Sequence, residues 1–215
     1  MPKILTKGDI ADFRAELCRV ATERFAHFGY DGVTMRQLAQ VLGCSPKTPY
    51  RYFKDKADIL ATVRAEAFTK FCDALERAAA DSADPLTRAR RVGGAYLRFA
   101  AEHPHAYRIM FEIEQPIDHR HPDLGPPALR ARQLITRSAE EMVAAGVLDV
   151  DARLFGWSMW AATHSVVMLH QAGMLGVHGG PDLSDLMEFI GTMMVKGATP
   201  PRTKGTKTKA REKRK

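Results

Sequence analysis

A short basic segment is the part of the sequence whose side chains most clearly could do chemistry. Residues 45–53 read SPKTPYRYF, and Ser45 followed by Pro46 is typical of a helix N-terminus, so we expect a helix of about two turns here. Cations and hydroxyls at this density can bind phosphate oxygens and the edges of bases. The side chains that we expect on its exposed face are Lys47, Thr48, Tyr50, Arg51 and Tyr52.

Two further helices are predicted to position this segment. An apolar stripe from Phe13 to Phe28 indicates an amphipathic helix that stops at Gly29. Thr34 and Gln37 form a capping box that opens a second helix, which Gly43 ends. The residues that we expect this second helix to bury are Leu38, Val41 and Leu42. Three helices with a tight turn between the last two are typical of a helix-turn-helix, whose third helix can enter a major groove.

The charge of the chain is concentrated at its two ends. The net charge is +7, with +4 in residues 1–64, −4 in residues 65–199 and +7 in residues 200–215. The basic ends favour binding to a polyanionic partner. The acidic residues 65–199, which we call the body, are expected to have a different function. The tail has almost no apolar residues, so we expect it to be disordered. It either adds non-specific phosphate affinity or only keeps the protein soluble, and the sequence favours neither.

Helical periodicity continues through the rest of the chain, and no run alternates long enough to predict a strand. The sequence therefore predicts an all-α fold with eight or nine helices. The segment at 115–127, with several prolines, is predicted to be a loop. The helices predicted after the basic segment span about 55–79, 84–102, 104–111, 128–145, 151–173 and 181–196.

Composition and motifs exclude several classes of protein. The 3 cysteines are an odd number without a C-x-x-C pair, so neither a disulfide framework nor a zinc site is expected. No signal peptide and no apolar run of about 18 residues is found, which predicts a cytoplasmic protein. Asp118, His119 and His121 lack the spacing of a helical metal site. No phosphate loop or hydrolase motif is present, so we expect no cofactor and no enzyme.

The body is rich in aromatic residues and methionines. These could be an ordinary helical core, or they could line an apolar pocket with a few polar groups, as small-molecule sites usually do. The pocket candidates are Phe68, Phe71, Tyr96, Phe99, Tyr107, Met110 and Phe111.

The last two helices carry apolar groups nearly all round, which indicates burial on two sides. One side can face the core and the other a second copy of the chain across a two-fold axis. The candidates for this interface are Trp157, Trp160, His164, Met168, Met187, Ile190 and Met194. His164 by itself is more typical of a hydrogen-bonded core histidine than of a ligand.

The run from Phe25 to Leu60 resembles the DNA-binding domain of the TetR family of transcriptional regulators. The matching positions are Gly29, Tyr30, Thr34, Leu38, Ala39, Gly43, Ser45, Tyr50, Tyr52, Phe53 and Lys56. One departure is Pro49, where the family usually has an apolar residue such as leucine. Residues 157–173, with Trp160 and His164, also resemble a Trp-His-Gly subgroup of the family, although Ser165 replaces its glycine.

The resemblance implies a role for each matched position. Thr34 and Arg36 would contact the DNA backbone and sometimes a base, Lys47 and Thr48 would read bases, and Tyr50, Tyr52 and Lys56 would hold phosphates. Ser45, Pro46 and Arg51 complete the set of expected DNA-contact residues. It also implies three parts, namely a helix-turn-helix domain at 8–56, an effector-binding and dimerisation domain at 57–198, and a tail at 199–215.

The expected function is thus a ligand-responsive repressor that binds a near-palindromic operator in the bacterial nucleoid as a homodimer and releases it on binding an apolar effector. The alternatives are a DNA-binding dimer without an effector and, less in keeping with the motifs, a helical-bundle enzyme.

Overall fold

The computed structural model describes residues 7–80, 83–111 and 123–200. Within these ranges every regular element is a helix and there is no strand, which confirms the predicted all-α class. The helices are α1 (Lys7–Phe28), α2 (Met35–Val41), a 3₁₀ helix (Pro49–Arg51), α3 (Lys56–Ala80), α4 (Pro85–Glu102), α5 (Pro104–Phe111), α6 (Gly125–Ala144), α7 (Ala152–Gln171) and α8 (Leu183–Ala198). No helix in the described ranges is both long and apolar enough to cross a bilayer.

The predicted boundaries hold within a few residues, except at the start of α6. Residues 125–127 form the first turn of this helix rather than the end of a loop. Proline is well accommodated there, because the N–H groups of a first turn have no partner inside the helix. Most of the predicted loop, including the histidines at 119 and 121, lies outside the described residues.

The longest internal helix, α3, lies at the centre of the molecule and packs against α1, α4, α5 and α6. A continuous core therefore runs from Leu17 in α1 through α3 to Val167 in α7. A smaller cluster, where α6, α7 and α8 meet, contains Met142, Phe155 and Ala198.

Two side chains predicted to be buried are exposed instead. Phe28 is exposed because the chain turns at Gly29 and the ring of Tyr30, not that of Phe28, stacks on Phe25. The guanidinium of Arg24 covers one face of Phe28 at 5.3 Å. Val41 is exposed because the short helix α2 turns only Met35, Leu38 and Ala39 fully inward.

The α6–α7 crossing depends on Gly156. A Cβ atom at this position would lie 2.8 Å from the carbonyl oxygen of Ile135, so only glycine allows this close approach. An ion pair between Arg130 and Asp73, at 2.8 Å, also links α6 to α3.

The three cysteines are free. Burial raises the pKa of Cys18 to about 12 and that of Cys72 to about 11, so both thiols stay protonated and unreactive near neutral pH.

Candidate nucleic-acid interface

The predicted capping box fixes the start of α2. The backbone N–H of Thr34 donates to Oε1 of Gln37 at 2.7 Å, and the backbone N–H of Gln37 donates to the hydroxyl of Thr34 at 3.2 Å. The helix ends in a tight turn in which Gly43 adopts a φ of +64°, where glycine pays no Cβ penalty. This turn places the start of the basic segment against the end of α2, as in a helix-turn-helix.

The basic segment is not the two-turn α-helix that the sequence predicts. We call residues 45–53 the recognition segment; it consists of a turn followed by the 3₁₀ helix Pro49–Arg51. Pro49 has no N–H to donate to the carbonyl of Ser45, and that carbonyl instead accepts from Thr48 at 2.8 Å, three residues on. Pro49 is also among the largest fully buried residues, so its ring anchors the segment in the core.

The structure places the predicted contact residues in two groups. The first group is exposed and comprises Thr34, Arg36, Ser45, Pro46, Lys47, Tyr50 and Arg51. Tyr50 is 56% exposed, a large fraction for an aromatic side chain. Arg36 on α2 and Lys47 and Arg51 on the recognition segment add positive charge to this surface. Such a surface can bind the phosphates of a duplex and present side chains to base edges.

The second group also packs inside the N-terminal part of the chain, residues 8–56, which we call the head. Thr48 is half-buried, and the ring of Tyr52 lies 4.7 Å from that of Phe13. Lys56 Nζ donates to the carbonyl of Tyr30 at 2.7 Å and lies 3.9 Å from the Tyr30 ring. Lys56 therefore fastens the start of α3 to the turn after α1, in addition to any contact it makes with phosphate.

One positioning residue, Arg14 of α1, has no counterpart among the residues singled out from the sequence. Its guanidinium donates to the carbonyl of Tyr52 at 3.1 Å and lies 4.3 Å from the Phe53 ring. It therefore holds the end of the recognition segment against α1. The only sequence signal was an arginine beside the apolar stripe, which is normally a solvated side chain.

The predicted pocket residues come together in one aromatic cluster between α3, α4 and α5. The Phe71 ring lies 5.3 Å from Tyr96, 5.2 Å from Phe99 and 6.1 Å from Phe111. Phe68 packs edge-on against Phe111 at 5.9 Å, and Met110 is buried beside them. These rings fill much of the space between them, which is the packing of a core.

A chain of polar groups crosses this apolar cluster. The hydroxyls of Tyr96 and Tyr107 are 2.8 Å apart, and the Tyr107 hydroxyl is 2.6 Å from Nδ1 of His164. Burial raises the pKa of Tyr96 to about 12, and hydrogen bonds from Tyr107 and the Trp160 indole oppose this shift. Burial also lowers the pKa of His164, which keeps its ring neutral near pH 7. His164 and Trp160 stack at 5.4 Å.

The candidates for the dimer interface occupy different environments. Trp160 and Met168 pack partly into the main core and Met194 into the smaller cluster, while Trp157, Met187 and Ile190 are half-buried. The most exposed apolar side chains of α7 and α8 are not among these candidates. They are Leu154 at 69%, Phe189 at 64% and Met193 at 53% exposed.

A capped helix, a glycine turn and an exposed basic segment, all carried by a helical body, define a helix-turn-helix protein. Two family models match the chain, one for bacterial regulatory proteins of the tetR family over residues 17–63 and one for the tetracyclin repressor-like C-terminal domain over residues 89–194. The chain belongs to the TetR family of transcriptional regulators. Its place in the Trp-His-Gly subgroup stays a prediction.

Curated relatives and solved structures agree with this family. HTH-type transcriptional regulators of Mycobacterium tuberculosis and Mycobacterium bovis are 25% identical over 149 residues, which is 65% of this chain. The match spans 59% of the length of these relatives.

Several solved structures are similar to this chain in fold. A protein of unknown function from Rhodococcus sp. RHA1 has a TM-score of 0.74 at 24% identity, covering 93% of this chain and all of that one. The ketosteroid transcriptional regulator KstR2 of Mycobacterium tuberculosis has a TM-score of 0.68 at 19% identity, covering 88% of this chain and 96% of that one. The fatty acid degradation regulator FadR of Bacillus halodurans has a TM-score of 0.69 at 18% identity, covering 91% of this chain and 98% of that one.

Proposed function

We propose that the protein is a repressor that binds a near-palindromic DNA operator as a homodimer and leaves it when an apolar small molecule binds the body. The observation that carries the DNA-binding part is the exposed basic surface formed by α2 and the recognition segment, held in place by Pro49 and Arg14. Lys47 and Thr48 read bases, with help from Arg36. Tyr50, Tyr52 and Lys56 hold phosphates.

We infer a homodimer from the small number of base pairs that a single recognition segment can contact. A short segment contacts only a few base pairs, so specificity requires two half-sites at a fixed spacing. The exposed side chains of Leu154, Phe189 and Met193 give α7 and α8 an apolar surface that a second copy can cover. The half-buried Trp157, Met187 and Ile190 lie on the same two helices and extend that surface.

The effector part rests on the aromatic cluster and its chain of hydroxyls. Two neighbours in fold are named for ketosteroids and for fatty acid degradation, which favours an apolar effector here as well. Such a molecule would displace rings such as Phe111, and the hydroxyl of Tyr107 would supply a polar contact. Movement of α3 would then change the separation of the two heads, because α3 begins directly after the recognition segment.

The mutual contacts of these rings support a second candidate, in which the cluster is only a core and the dimer binds DNA without an effector. A thermal-shift screen with apolar small molecules, followed by titration of operator-bound protein, separates the two. An effector that releases DNA from the wild type, but much less from Phe99→Trp, supports the pocket. Screening that finds no releasing ligand supports the effector-independent dimer.

The DNA-binding part is tested by selecting duplexes from a random library with the purified protein. We expect enrichment of one motif with two inverted half-sites. Lys47→Ala should relax the sequence preference of the selected pool, whereas Lys70→Ala, an exposed lysine of α3 outside the head, should leave it unchanged. A pool that stays random would refute the proposal.

A further inference from the structure

The outer face of α3 and α4 carries an open groove to which the proposed function assigns no ligand. Its larger part has a volume of about 750 Å³ and a floor that includes Ala74, Ala95 and Phe99. A neighbouring part of about 420 Å³ shares Ala78 and Arg98 with it, so the two form one continuous depression. We call this depression the α3–α4 groove. Of the aromatic cluster, only Phe99 reaches it.

The α3–α4 groove is basic although the body around it is acidic. Five of the thirteen Lys and Arg residues between 65 and 199 line it, namely Lys70, Arg77, Arg90, Arg91 and Arg98. The acidic residues on its walls are Asp73 and Glu102, and Asp73 is already paired with Arg130 at 2.8 Å. The groove is therefore lined by more cationic than acidic side chains, and Arg77 and Arg98 have no ion-pair partner among the described residues.

Two consecutive glycines, Gly93 and Gly94, lie inside α4 beside these cations. Glycine inside a helix is less favourable than alanine by roughly 1 kcal/mol. Packing among the described residues does not require glycine here, because a Cβ atom at Gly93 would contact nothing within 4 Å and one at Gly94 would meet only Nη1 of Arg98, at 3.4 Å. Gly94 lines the groove and leaves the helix backbone open beside the Arg98 guanidinium.

We propose that the α3–α4 groove binds a small multivalent anion, a metabolite that carries phosphate or carboxylate groups. Guanidinium groups suit this task because their planar fork matches the paired oxygens of either group. Arg98 bridges the two parts of the groove, with Arg77 on the facing helix α3. The absent side chain of Gly94 lets the ligand approach α4 closely, as glycine does at other ligand sites.

The test is isothermal titration of the full chain with inorganic pyrophosphate and with tricarballylate, each at constant ionic strength. Saturable binding of one or both supports the proposal, and the stronger probe tells whether the natural ligand is a phosphate or a carboxylate. Absence of saturable binding by either anion overturns it.

Substitutions locate the bound anion. Arg98→Gln should weaken binding about tenfold or more, because it removes charge-assisted hydrogen bonds. Arg132→Gln, an exposed arginine of α6 outside the groove, is the charge-matched control and should keep wild-type affinity. Gly94→Ala should lose affinity while the melting temperature stays level or rises, whereas Gly93→Ala should raise the melting temperature and keep the affinity. Full affinity in both Arg98→Gln and Gly94→Ala would place the anion elsewhere, for example at the DNA-binding head, and overturn the assignment.

Discussion

The hydroxyl of Tyr107 is the central atom of the buried polar chain, since it lies within hydrogen-bond distance of both Tyr96 and His164. Tyr107 itself is fully buried. A buried polar group that loses its partner costs more than an ordinary hydrogen bond contributes, because water cannot replace the partner.

Removing this hydroxyl should therefore destabilise the protein. Tyr107→Phe should lower the free energy of unfolding by about 1–3 kcal/mol, measured by denaturant titration. Tyr50→Phe removes an equivalent hydroxyl from an exposed ring and should change stability by less than about 0.5 kcal/mol. Equal effects of the two substitutions would mean that the polar chain contributes nothing to stability.

His164 should make stability depend on pH. Its pKa is lowered in the folded state, so the unfolded chain binds more protons between the folded value and the ordinary value of 6.5. The free energy of unfolding then has its full value above about pH 6.5 and decreases as the pH drops below it. Thermal unfolding from pH 5 to 8 measures this slope. His164→Gln should flatten it and His170→Gln, an exposed neighbour on α7, should not; an unchanged slope in His164→Gln would contradict the assignment.

Among the elements, the turn between α2 and the recognition segment depends on a backbone conformation that only glycine adopts without cost. Gly43 has a φ of +64°, and Gly93 lies inside α4 with open space where a Cβ atom would be. The same substitution should therefore have opposite effects at the two positions.

Gly43→Ala should destabilise the protein by about 1 kcal/mol or more, because an L side chain strains this turn. Gly93→Ala should stabilise it by up to about 1 kcal/mol through helix propensity alone. Chemical denaturation of both variants measures the difference. A stabilising Gly43→Ala would show that the turn is not under the constraint described.

At the element level, residue pattern predicted most boundaries because caps and prolines are local signals. The capping box of Thr34 and the glycine turn at Gly43 could both be read directly from the sequence. The recognition segment could not, because the 3₁₀ geometry depends on where the carbonyl of Ser45 finds a donor once Pro49 is buried. The hydrogen bonds that Lys56 and Arg14 donate inside the head could not be predicted either, since their partners are distant in sequence.

For the molecule as a whole, the exposed apolar surface of α7 and α8 favours assembly. Phe189→Asp and Met193→Asp should each give a monomer in sedimentation at micromolar concentration, because a carboxylate cannot be buried unpaired in an apolar interface. Ser184→Asp, on the same helix but outside the apolar surface, should remain dimeric. A wild-type protein that sediments as a monomer would contradict the proposed homodimer.

The central claim is that the recognition segment reads a DNA sequence. Its most direct test is a fluorescence-anisotropy titration of the selected duplex and of a scrambled duplex of equal length and composition at physiological salt. The account predicts that the wild type binds the selected duplex at least about 10³-fold more tightly. It also predicts that Lys47→Ala loses much of this difference. Equal affinity of the wild-type protein for the two duplexes would contradict the account.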